Sequence, residues 1–186
     1  AAASADPTPG PQSSPQDSPD GKWTVELSEN NLFLRPKAGG EAVRLSRDGT
    51  TEDAYHSDVQ WSPDSTHLVA RRVRGVSSRT VSWIEAAPKD QLQPQVHSHT
   101  YPKPGDALPR PLLRVFAVDG FRQYNVDEKH YPNPFTESGA LDVQWAPDSQ
   151  EFYVNYNQRG HQVYRILAVN RTGKVRTVVE EAPKTM

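Results

Sequence analysis

The chain contains no cysteine among its 186 residues. A disulfide framework, a thiolate nucleophile and a cysteine-based zinc site are therefore excluded. No apolar run approaches the roughly 18 residues that a membrane-spanning helix needs, so the sequence predicts a soluble protein without a membrane partner. Acidic residues outnumber basic ones by 23 to 21, and this near balance does not favour nucleic acid or an anionic membrane as a partner.

Helical periodicity is nearly absent as well. Seventeen prolines are spread along the chain where they would interrupt helices. Hydrophobic residues make up 34% of the chain and the mean hydropathy is −0.78, which is polar for a globular protein. The length, the composition and the absence of helical periodicity together predict one all-β domain with a thin, sheet-like core.

The first 17 residues combine Ala, Pro, Ser, Gly and Gln without any large apolar side chain. Such a segment cannot bury enough surface to offset the entropy of ordering it. We therefore expect a flexible leader at 1–17 and a folded part at 18–186. The initial Ala, in place of Met, suggests either a processed secretory precursor or a piece cut from a longer chain, and the sequence leaves both open.

A six-residue phrase occurs twice, as QWSPDS at 60–65 and as QWAPDS at 144–149. Its central Pro-Asp favours a β-turn, and apolar and polar residues alternate on both sides with the two-residue period of a half-buried strand. Each copy therefore predicts a β-hairpin. A third copy, SPDGKW at 18–23, leads into a similar strand but lacks the preceding tryptophan.

The aspartates of the three corners are Asp20, Asp64 and Asp148, with spacings of 44 and 84 residues. Repetition near 40–45 residues, with several short strands per unit, is typical of β-propeller blades. Further strand pairs, at 32–35 with 42–45 and at 162–169 with 175–179, complete the first and last units. We predict a partial β-propeller of about three to four blades, each an antiparallel four-stranded sheet. The alternative is a β-sandwich with similar hairpins.

The middle of the chain is less regular. Strands are predicted at 79–85, 95–101 and 112–118, and a proline-rich segment at 102–111 separates the last two. Two interpretations remain open from the residues alone: a fourth blade has lost its Pro-Asp corner, or one blade contains a long insertion.

Several stretches resemble the N-terminal β-propeller of the dipeptidyl peptidase IV branch of prolyl-oligopeptidase-type serine peptidases, particularly its bacterial members. They are DVQWSPDSTHLVARRV at 58–73, HTYPKPGDALP at 99–109 with LLRVFAVDG at 112–120, and the run from DVQWAPDS to VVEE at 142–181. The resemblance covers residues 50–181. In this family the proline-rich segment belongs to one elongated blade, so the resemblance favours the insertion.

The resemblance implies that the propeller filters and positions peptides for a C-terminal α/β-hydrolase domain with catalytic Ser, Asp and His. The chain contains no G-x-S-x-G nucleophile elbow, so no catalytic residue is carried over and the hydrolase domain is expected to lie outside this chain. Family members that release dipeptides have paired glutamates before the WSP motif, whereas the stretch at 49–58 has a single Glu-Asp. Family members are often exported, which suggests a periplasmic or secreted protein.

Four residues lie where the family places substrate-facing groups: Glu52, Asp53, Tyr55 and His56. A carboxylate there could pair with the ammonium group of a peptide. The alternative is a solvated polar loop before a strand. Elsewhere, His97 and His99 would share one face of a strand, but no cysteine or suitably spaced carboxylate supports a metal. We therefore predict no cofactor and no metal.

Two further sets of residues receive structural interpretations. Trp61 and Trp145 precede the corners and are predicted to pack between blades. Arg71, Arg72 and Arg74 form the densest basic run, which we interpret as a solvated strand end rather than a phosphate site.

The predicted number of blades has a consequence of its own. Three or four blades do not close a ring, so the end blades would expose apolar faces through which copies of the chain could self-associate. The alternative function is a stand-alone propeller module for protein interaction.

Overall fold

The computed structural model describes residues 16–76, 79–101, 105–136 and 140–182. Within these ranges the chain is all-β, as predicted, with two short 3₁₀ turns at Asp119–Phe121 and Glu128–His130. None of the helical segments in this part of the chain has the length and apolar character needed to cross a membrane. The strands are β1 (Gln16–Asp17), β2 (Trp23–Ser28), β3 (Asn31–Pro36), β4 (Val43–Arg44), β5 (Asp53–Tyr55), β6 (Gln60–Trp61), β7 (His67–Arg74), β8 (Thr80–Glu85), β9 (Gln95–Thr100), β10 (Arg110–Ala117), β11 (Arg122–Asn125), β12 (Asp142–Trp145), β13 (Glu151–Asn157), β14 (Tyr164–Asn170) and β15 (Val175–Glu181).

Three antiparallel sheets follow one another along the chain as propeller blades. Blade 1 has the order β1-β2-β3-β4 and blade 3 the order β12-β13-β14-β15. Blade 2 is built on β7, which pairs with β10 on one side and with both β5 and β6 on the other, while β11 lies beyond β10. The prediction of a partial β-propeller of antiparallel sheets is confirmed.

Strands β8 and β9 form a separate two-stranded hairpin, which we call the arm (residues 79–101). The arm strands pair only with each other among the described residues, whereas β7 and β10, on either side of the arm in sequence, pair along their whole length. The irregular middle stretch is therefore an insertion within blade 2. Of the two interpretations left open by the residues, the lost fourth blade is wrong.

The arm also accounts for the two histidines of β9. The Trp83 ring stacks on His97 with a centroid separation of 5.0 Å and meets the edge of His99 at 5.1 Å. His97 Nε2 lies 3.0 Å from a carboxylate oxygen of Glu85. No group of three or more His, Cys, Asp or Glu side chains in the described ranges is arranged to hold a metal ion.

The three Pro-Asp corners adopt the same turn. In each, the residue after the aspartate has a positive φ and donates its N–H to the residue before the proline at 2.9 Å. The carboxylate of each aspartate accepts the N–H two residues on, at 3.0–3.1 Å. The residues with positive φ are Gly21 (70°), Ser65 (60°) and Ser149 (60°). The repeated phrase thus forms the corner between β1 and β2 in blade 1, between β6 and β7 in blade 2, and between β12 and β13 in blade 3.

The hydrophobic core consists of two seams between blades. Strand β7 supplies both, because alternate side chains of a strand point to opposite faces: Leu68 and Ala70 pack toward blade 1, and Val69 packs toward blade 3. The seam between blades 1 and 2 is built from Val25, Leu32, Leu34, Leu45, Tyr55, Val59, Leu68, Ala70 and Phe116. The seam between blades 2 and 3 is built from Val69, Leu113, Val115, Val126, Tyr131, Phe152, Val154, Tyr156, Leu167 and Val169.

The tryptophans before the corners pack at these seams, as predicted. Trp61 contacts the seam between blades 1 and 2, and Trp145 contacts the next one. The indole N–H of Trp145 also donates to the backbone oxygen of Gln60 in the neighbouring blade at 2.9 Å. This bond gives blades 2 and 3 a directional link in addition to apolar burial.

The boundary predicted for the flexible leader needs a correction of two residues. Gln16 and Asp17 form β1 and pair with Val25 and Thr24 of β2. The Asp17 carboxylate accepts hydrogen bonds from the hydroxyl of Thr24 at 2.6 Å and from the ammonium of Lys37 at 2.7 Å. These polar contacts order the segment without a large apolar side chain. Residues 1–15 of the predicted leader lie outside the described residues.

Candidate functional site

An open cavity lies at the end of β7 that is farther from the Pro-Asp corner. Its volume is about 690 Å³, and it is lined by Thr50, Thr51, Glu52, Asp53, Arg74, Gly75 and Val76. Backbone hydrogen bonds hold its two walls together. The Gly75 N–H donates to the backbone carbonyl oxygen of Glu52 at 2.6 Å, and the Thr50 N–H donates to the backbone carbonyl oxygen of Asp53 at 2.9 Å. Two of the predicted substrate-facing residues, Glu52 and Asp53, therefore lie at this cavity.

The arginines of β7 each form an ion pair with an aspartate from the preceding segment. Arg71 pairs with Asp58 at 2.8 Å, Arg72 with Asp48 at 2.8 Å, and Arg74 with Asp53 at 3.2 Å. Their positive charges are thus balanced locally, and the run does not form an exposed basic patch. The interpretation of a solvated strand end is wrong for Arg71 and Arg72, whose side chains are only 14% and 12% exposed.

The two acidic residues of the cavity differ in their surroundings. The Asp53 side chain is 19% exposed and is held by Arg74, with Arg72 at 3.9 Å. Glu52 is exposed, and its carboxylate makes no hydrogen bond or ion pair within the described part of the chain. Glu52 is consequently the carboxylate of this cavity that can accept an incoming cation without first displacing an arginine.

Tyr55 lies inside the seam between blades 1 and 2 rather than in the cavity. It is 1% exposed, its ring meets the Phe116 ring at a centroid separation of 5.9 Å, and its hydroxyl donates to Asp48 at 2.8 Å. Burial, together with the bond to Asp48, raises the pKa of the Tyr55 hydroxyl. The side chain stabilises the seam and leaves no group free for a ligand.

The Asp48 carboxylate is the centre of this polar cluster. Besides Tyr55, it accepts hydrogen bonds from Arg72 at 2.8 Å and from the Gln123 amide at 3.2 Å. Arg114 Nε lies 3.9 Å away, on a residue that is 8% exposed. One carboxylate therefore faces two largely buried guanidinium groups, and we call these five residues the Asp48 cluster.

His56 is half-buried and follows β5. The backbone N–H of His56 donates to the backbone oxygen of Arg71 at 3.1 Å. Burial and the nearby Arg71 guanidinium lower the pKa of the imidazole, with Asp58 acting in the opposite direction. His56 is not among the residues that line the cavity.

Sequence reasoning did not single out Asp48, Thr50 or Gly75, and it interpreted Arg74 as part of a solvated strand end rather than as a cavity residue. A signal for part of this set was present: Asp48, Asp53 and Asp58 recur every five residues, ahead of an arginine-rich strand. Opposite charges at regular spacing on neighbouring strands favour cross-strand ion pairs. The pairing of each aspartate with a particular arginine depends on strand register. The residues of the segment alone do not give that register.

The buried tyrosines give a pH-dependent prediction. Burial raises the pKa of Tyr131 to about 12, and the Tyr55 pKa is raised as well. An unfolded tyrosine ionises near pH 10, so above that pH the unfolded state loses protons that the folded state keeps. The free energy of unfolding should fall between pH 10 and 12, by about 1 kcal/mol per buried tyrosine at pH 11. Urea denaturation at pH 9 and pH 11 measures this loss.

The control for this prediction is the Tyr131→Phe variant, which cannot ionise at this position. Its stability should depend less steeply on pH between 9 and 11 than that of the wild-type chain. Equal slopes for the two proteins would contradict the assignment of the loss to Tyr131.

Comparison with known proteins places this architecture in a family. The family described as the dipeptidyl peptidase IV N-terminal region matches residues 2–185, almost the whole chain. The chain belongs to that family. The resemblance noted in the corner phrases and in the proline-rich segment is thereby confirmed.

Curated relatives and a solved structure are consistent with membership in the dipeptidyl peptidase IV N-terminal region family. "Probable dipeptidyl-aminopeptidase B" of Phaeosphaeria nodorum is 24% identical over 192 residues, which cover 88% of this chain and 20% of the relative. The protein of that name from Sordaria macrospora is 27% identical over 190 residues, covering 87% and 20%. The crystal structure of Porphyromonas gingivalis dipeptidyl peptidase 4 is similar in fold, with a TM-score of 0.63 and 18% identity over 91% of this chain and 26% of that one. The chain spans about a fifth of the length of the curated relatives.

Proposed function

We propose that the chain is the non-catalytic propeller portion of a dipeptidyl-peptidase-IV-like serine peptidase. In this role it gates and positions peptide substrates for an α/β-hydrolase domain outside this chain. Family membership and the names of the relatives support the class of protein. The observation on which the positioning role depends is the exposed Glu52 carboxylate at the open cavity beside the Asp53–Arg74 pair.

The chemistry of the cavity suits a peptide with a free amino terminus. An ammonium group is a compact cation with three donors, and a carboxylate is its natural acceptor in a charge-assisted hydrogen bond. Asp53 is already neutralised by Arg74, so Glu52 supplies the unbalanced negative charge. Of the four residues predicted from the sequence, Glu52 therefore has the direct contact in this proposal, and Asp53 with Arg74 forms the wall beside it.

A binding experiment on the chain tests this contact. A short peptide with a free amino terminus should bind more tightly than the same peptide with an acetylated terminus, and Glu52→Gln should remove the difference. Because the pair is exposed, its loss should weaken binding about fivefold, the factor for ~1 kcal/mol. Calorimetric or NMR titration with both peptides measures the change.

Glu41→Gln is the matched control, since Glu41 is also exposed and the charge change is the same. It should leave the preference for the free terminus intact. If Glu41→Gln and Glu52→Gln have the same effect, general electrostatic attraction explains the binding and the proposed contact is wrong.

The catalytic part of the proposal concerns the longer protein. A downstream G-x-S-x-G followed by Asp and His would provide the hydrolase. A peptidase assay of the full-length product with proline-containing dipeptidyl substrates then tests whether it releases dipeptides without the paired glutamates. With a peptide that is cleaved, Glu52→Gln should raise KM while kcat changes little, as expected for a group that contributes to binding. A stop codon directly after Met186 in the native gene would instead favour the alternative function.

That alternative is a stand-alone propeller module for protein interaction. One observation favours it: the arm exposes apolar side chains, with Trp83, Ile84 and Val96 exposed by 49%, 66% and 69%. Clustered exposed apolar side chains are typical of interaction surfaces. Self-association of the chain through the open faces of blades 1 and 3, and export to the periplasm or outside the cell, stay predictions.

A further inference from the structure

A second open cavity lies beside the start of β7, at the opposite end of that strand from the cavity that contains Glu52. Its volume is about 440 Å³. The Pro-Asp corners of blades 1 and 2 line one side of it, and the 3₁₀ turn at Asp119–Phe121 lines the other. The cavity therefore lies where blades 1 and 2 meet, and it shares no residue with the site proposed for the peptide terminus.

Aromatic side chains form the apolar wall of this second cavity. Trp23 and Phe121 line it together with Val118. The rings of Trp23 and Phe121 meet edge to face, with a centroid separation of 6.4 Å and an interplanar angle of 84°. Both side chains pack against the seam between blades 1 and 2, yet both remain only partly buried. The seam thus fixes the rings while part of their surface stays open to a ligand.

The backbone keeps Phe121 at the cavity in spite of an unfavourable conformation. Its φ is 48°, and Gly120 before it has a φ of 70°. A bulky residue rarely adopts a positive φ, and it persists there only where surrounding contacts fix it. Here the Phe121 N–H donates to the backbone oxygen of Val118 at 3.4 Å, and the ring contacts Trp23. The turn after β10 therefore places an aromatic ring at the cavity.

Three carboxylates surround the aromatic wall, and one of them is unbalanced. Asp20 pairs with Lys22 at 3.1 Å, and Asp64 pairs with Arg171 at 2.6 Å. Asp119 is exposed, and its carboxylate makes no hydrogen bond or ion pair within the ranges that the structure describes. Asp119 consequently supplies the unbalanced negative charge of the second cavity.

A free carboxylate beside aromatic rings suits the side chain of arginine. A guanidinium stacks on aromatic rings, and it pairs with a carboxylate through two parallel hydrogen bonds. The ammonium group of lysine is more strongly hydrated and lacks the planar fork, so it gains less from the same surroundings. The charge and the apolar wall of the cavity together favour arginine.

We propose that the second cavity binds an arginine side chain from a basic segment of a partner protein. The guanidinium packs against Trp23 and Phe121 and pairs with the Asp119 carboxylate. Lys22 also lines the cavity, and its ammonium repels the incoming cation. This interaction does not depend on the peptide terminus assigned to Glu52.

Titration with N-acetyl-arginine amide tests the site, followed by the NMR signal of the Trp23 indole N–H. The acetylated ligand has no free amino terminus, so it avoids the contact proposed for Glu52. Asp119→Asn should weaken binding about fivefold, the order expected for one exposed ion pair. Lys22→Gln should strengthen binding, because it removes the repelling charge. N-acetyl-citrulline amide, which has nearly the same shape without the charge, should bind more weakly than the arginine ligand.

Asp90→Asn is the matched control, because Asp90 is exposed in the arm and does not line the cavity. The same charge change there should leave the affinity for the arginine ligand unchanged. Equal effects of Asp119→Asn and Asp90→Asn would overturn the proposal, since general attraction would then explain the binding. A Trp23 signal that does not shift, or N-acetyl-lysine amide binding as tightly as the arginine ligand, would overturn it as well.

Discussion

Phe152→Ala should lower the free energy of unfolding by about 3–5 kcal/mol, the range for a large aromatic side chain removed from a packed core. Phe152 is fully buried in the seam between blades 2 and 3. Its ring lies 5.1 Å, centroid to centroid, from that of Trp145, which is itself bonded across the seam to Gln60. The substitution removes apolar contacts from both blades at once. Urea denaturation followed by tryptophan fluorescence measures the loss.

The control is Phe135→Ala, which truncates the same residue type at a position that is 45% exposed. Its cost should stay below about 1 kcal/mol. Because blade 2 contributes to both seams, the Phe152→Ala chain should still unfold in one transition. Two separated transitions would show that blade 3 unfolds independently and would contradict a shared core.

Asp48→Ala should lower the free energy of unfolding by about 2–4 kcal/mol. Removal of one partner of a buried ion pair leaves the other charge uncompensated and typically costs about 3–5 kcal/mol. Here the Asp48 side chain is 38% exposed, so water offsets part of the loss. Arg72 and Arg114, at 12% and 10% side-chain exposure, would keep their charges in the seam. Urea denaturation measures the change.

Two further variants separate charge from hydrogen bonding at this position. Asp48→Asn keeps an acceptor for the Tyr55 hydroxyl but removes the negative charge, so its stability should fall between those of the wild-type chain and Asp48→Ala. Glu26→Ala breaks an exposed pair with Arg35 and should cost no more than about 1 kcal/mol. If Asp48→Ala costs as little as Glu26→Ala, the Asp48 cluster does not stabilise the seam.

The Asp48 cluster also connects the seam to the candidate site. Arg72 lies between Asp48 and Asp53, at 2.8 Å and 3.9 Å from their carboxylates. Loss of Asp48 would leave Asp53 as the remaining acid near Arg72 and alter one wall of the cavity. The shape of the cavity at Glu52 thus depends on Asp48, although Asp48 does not line the cavity.

The strands that the sequence predicted lie within two residues of the observed ones, whereas β5 and β11 were not predicted. The hairpins at 60–65 and 144–149 form as expected, and the arm strands predicted at 79–85 and 95–101 appear as Thr80–Glu85 and Gln95–Thr100. Turn preferences of Pro-Asp and the two-residue alternation of strands are properties of neighbouring residues, so a sequence displays them directly. The leader boundary was misplaced because Gln16 and Asp17 are ordered by polar contacts to β2 and Lys37.

The candidate site was predictable only in part. Glu52 and Asp53 lie at a cavity, but Tyr55, two residues on, is enclosed by the seam. Residues two apart in a strand point to the same face, so alternation does not separate Asp53 from Tyr55. Tyr55 is enclosed because its side chain contacts Phe116 and Asp48, and these contacts are not visible in the sequence. The assignment of Glu52 rather than Asp53 as the free carboxylate likewise depended on Arg74.

The sequence by itself determined the all-β class, the repeating corners and the family, because each depends on short patterns of neighbouring residues. Only the tertiary structure decided which carboxylate of the cavity is free and which tyrosine is buried. Those properties depend on strand register and on contacts between residues far apart in the chain, such as the bond from Asp64 to Ser149, 85 residues away. The free energy of burying a charge or an N–H depends on the groups that surround it in the folded state.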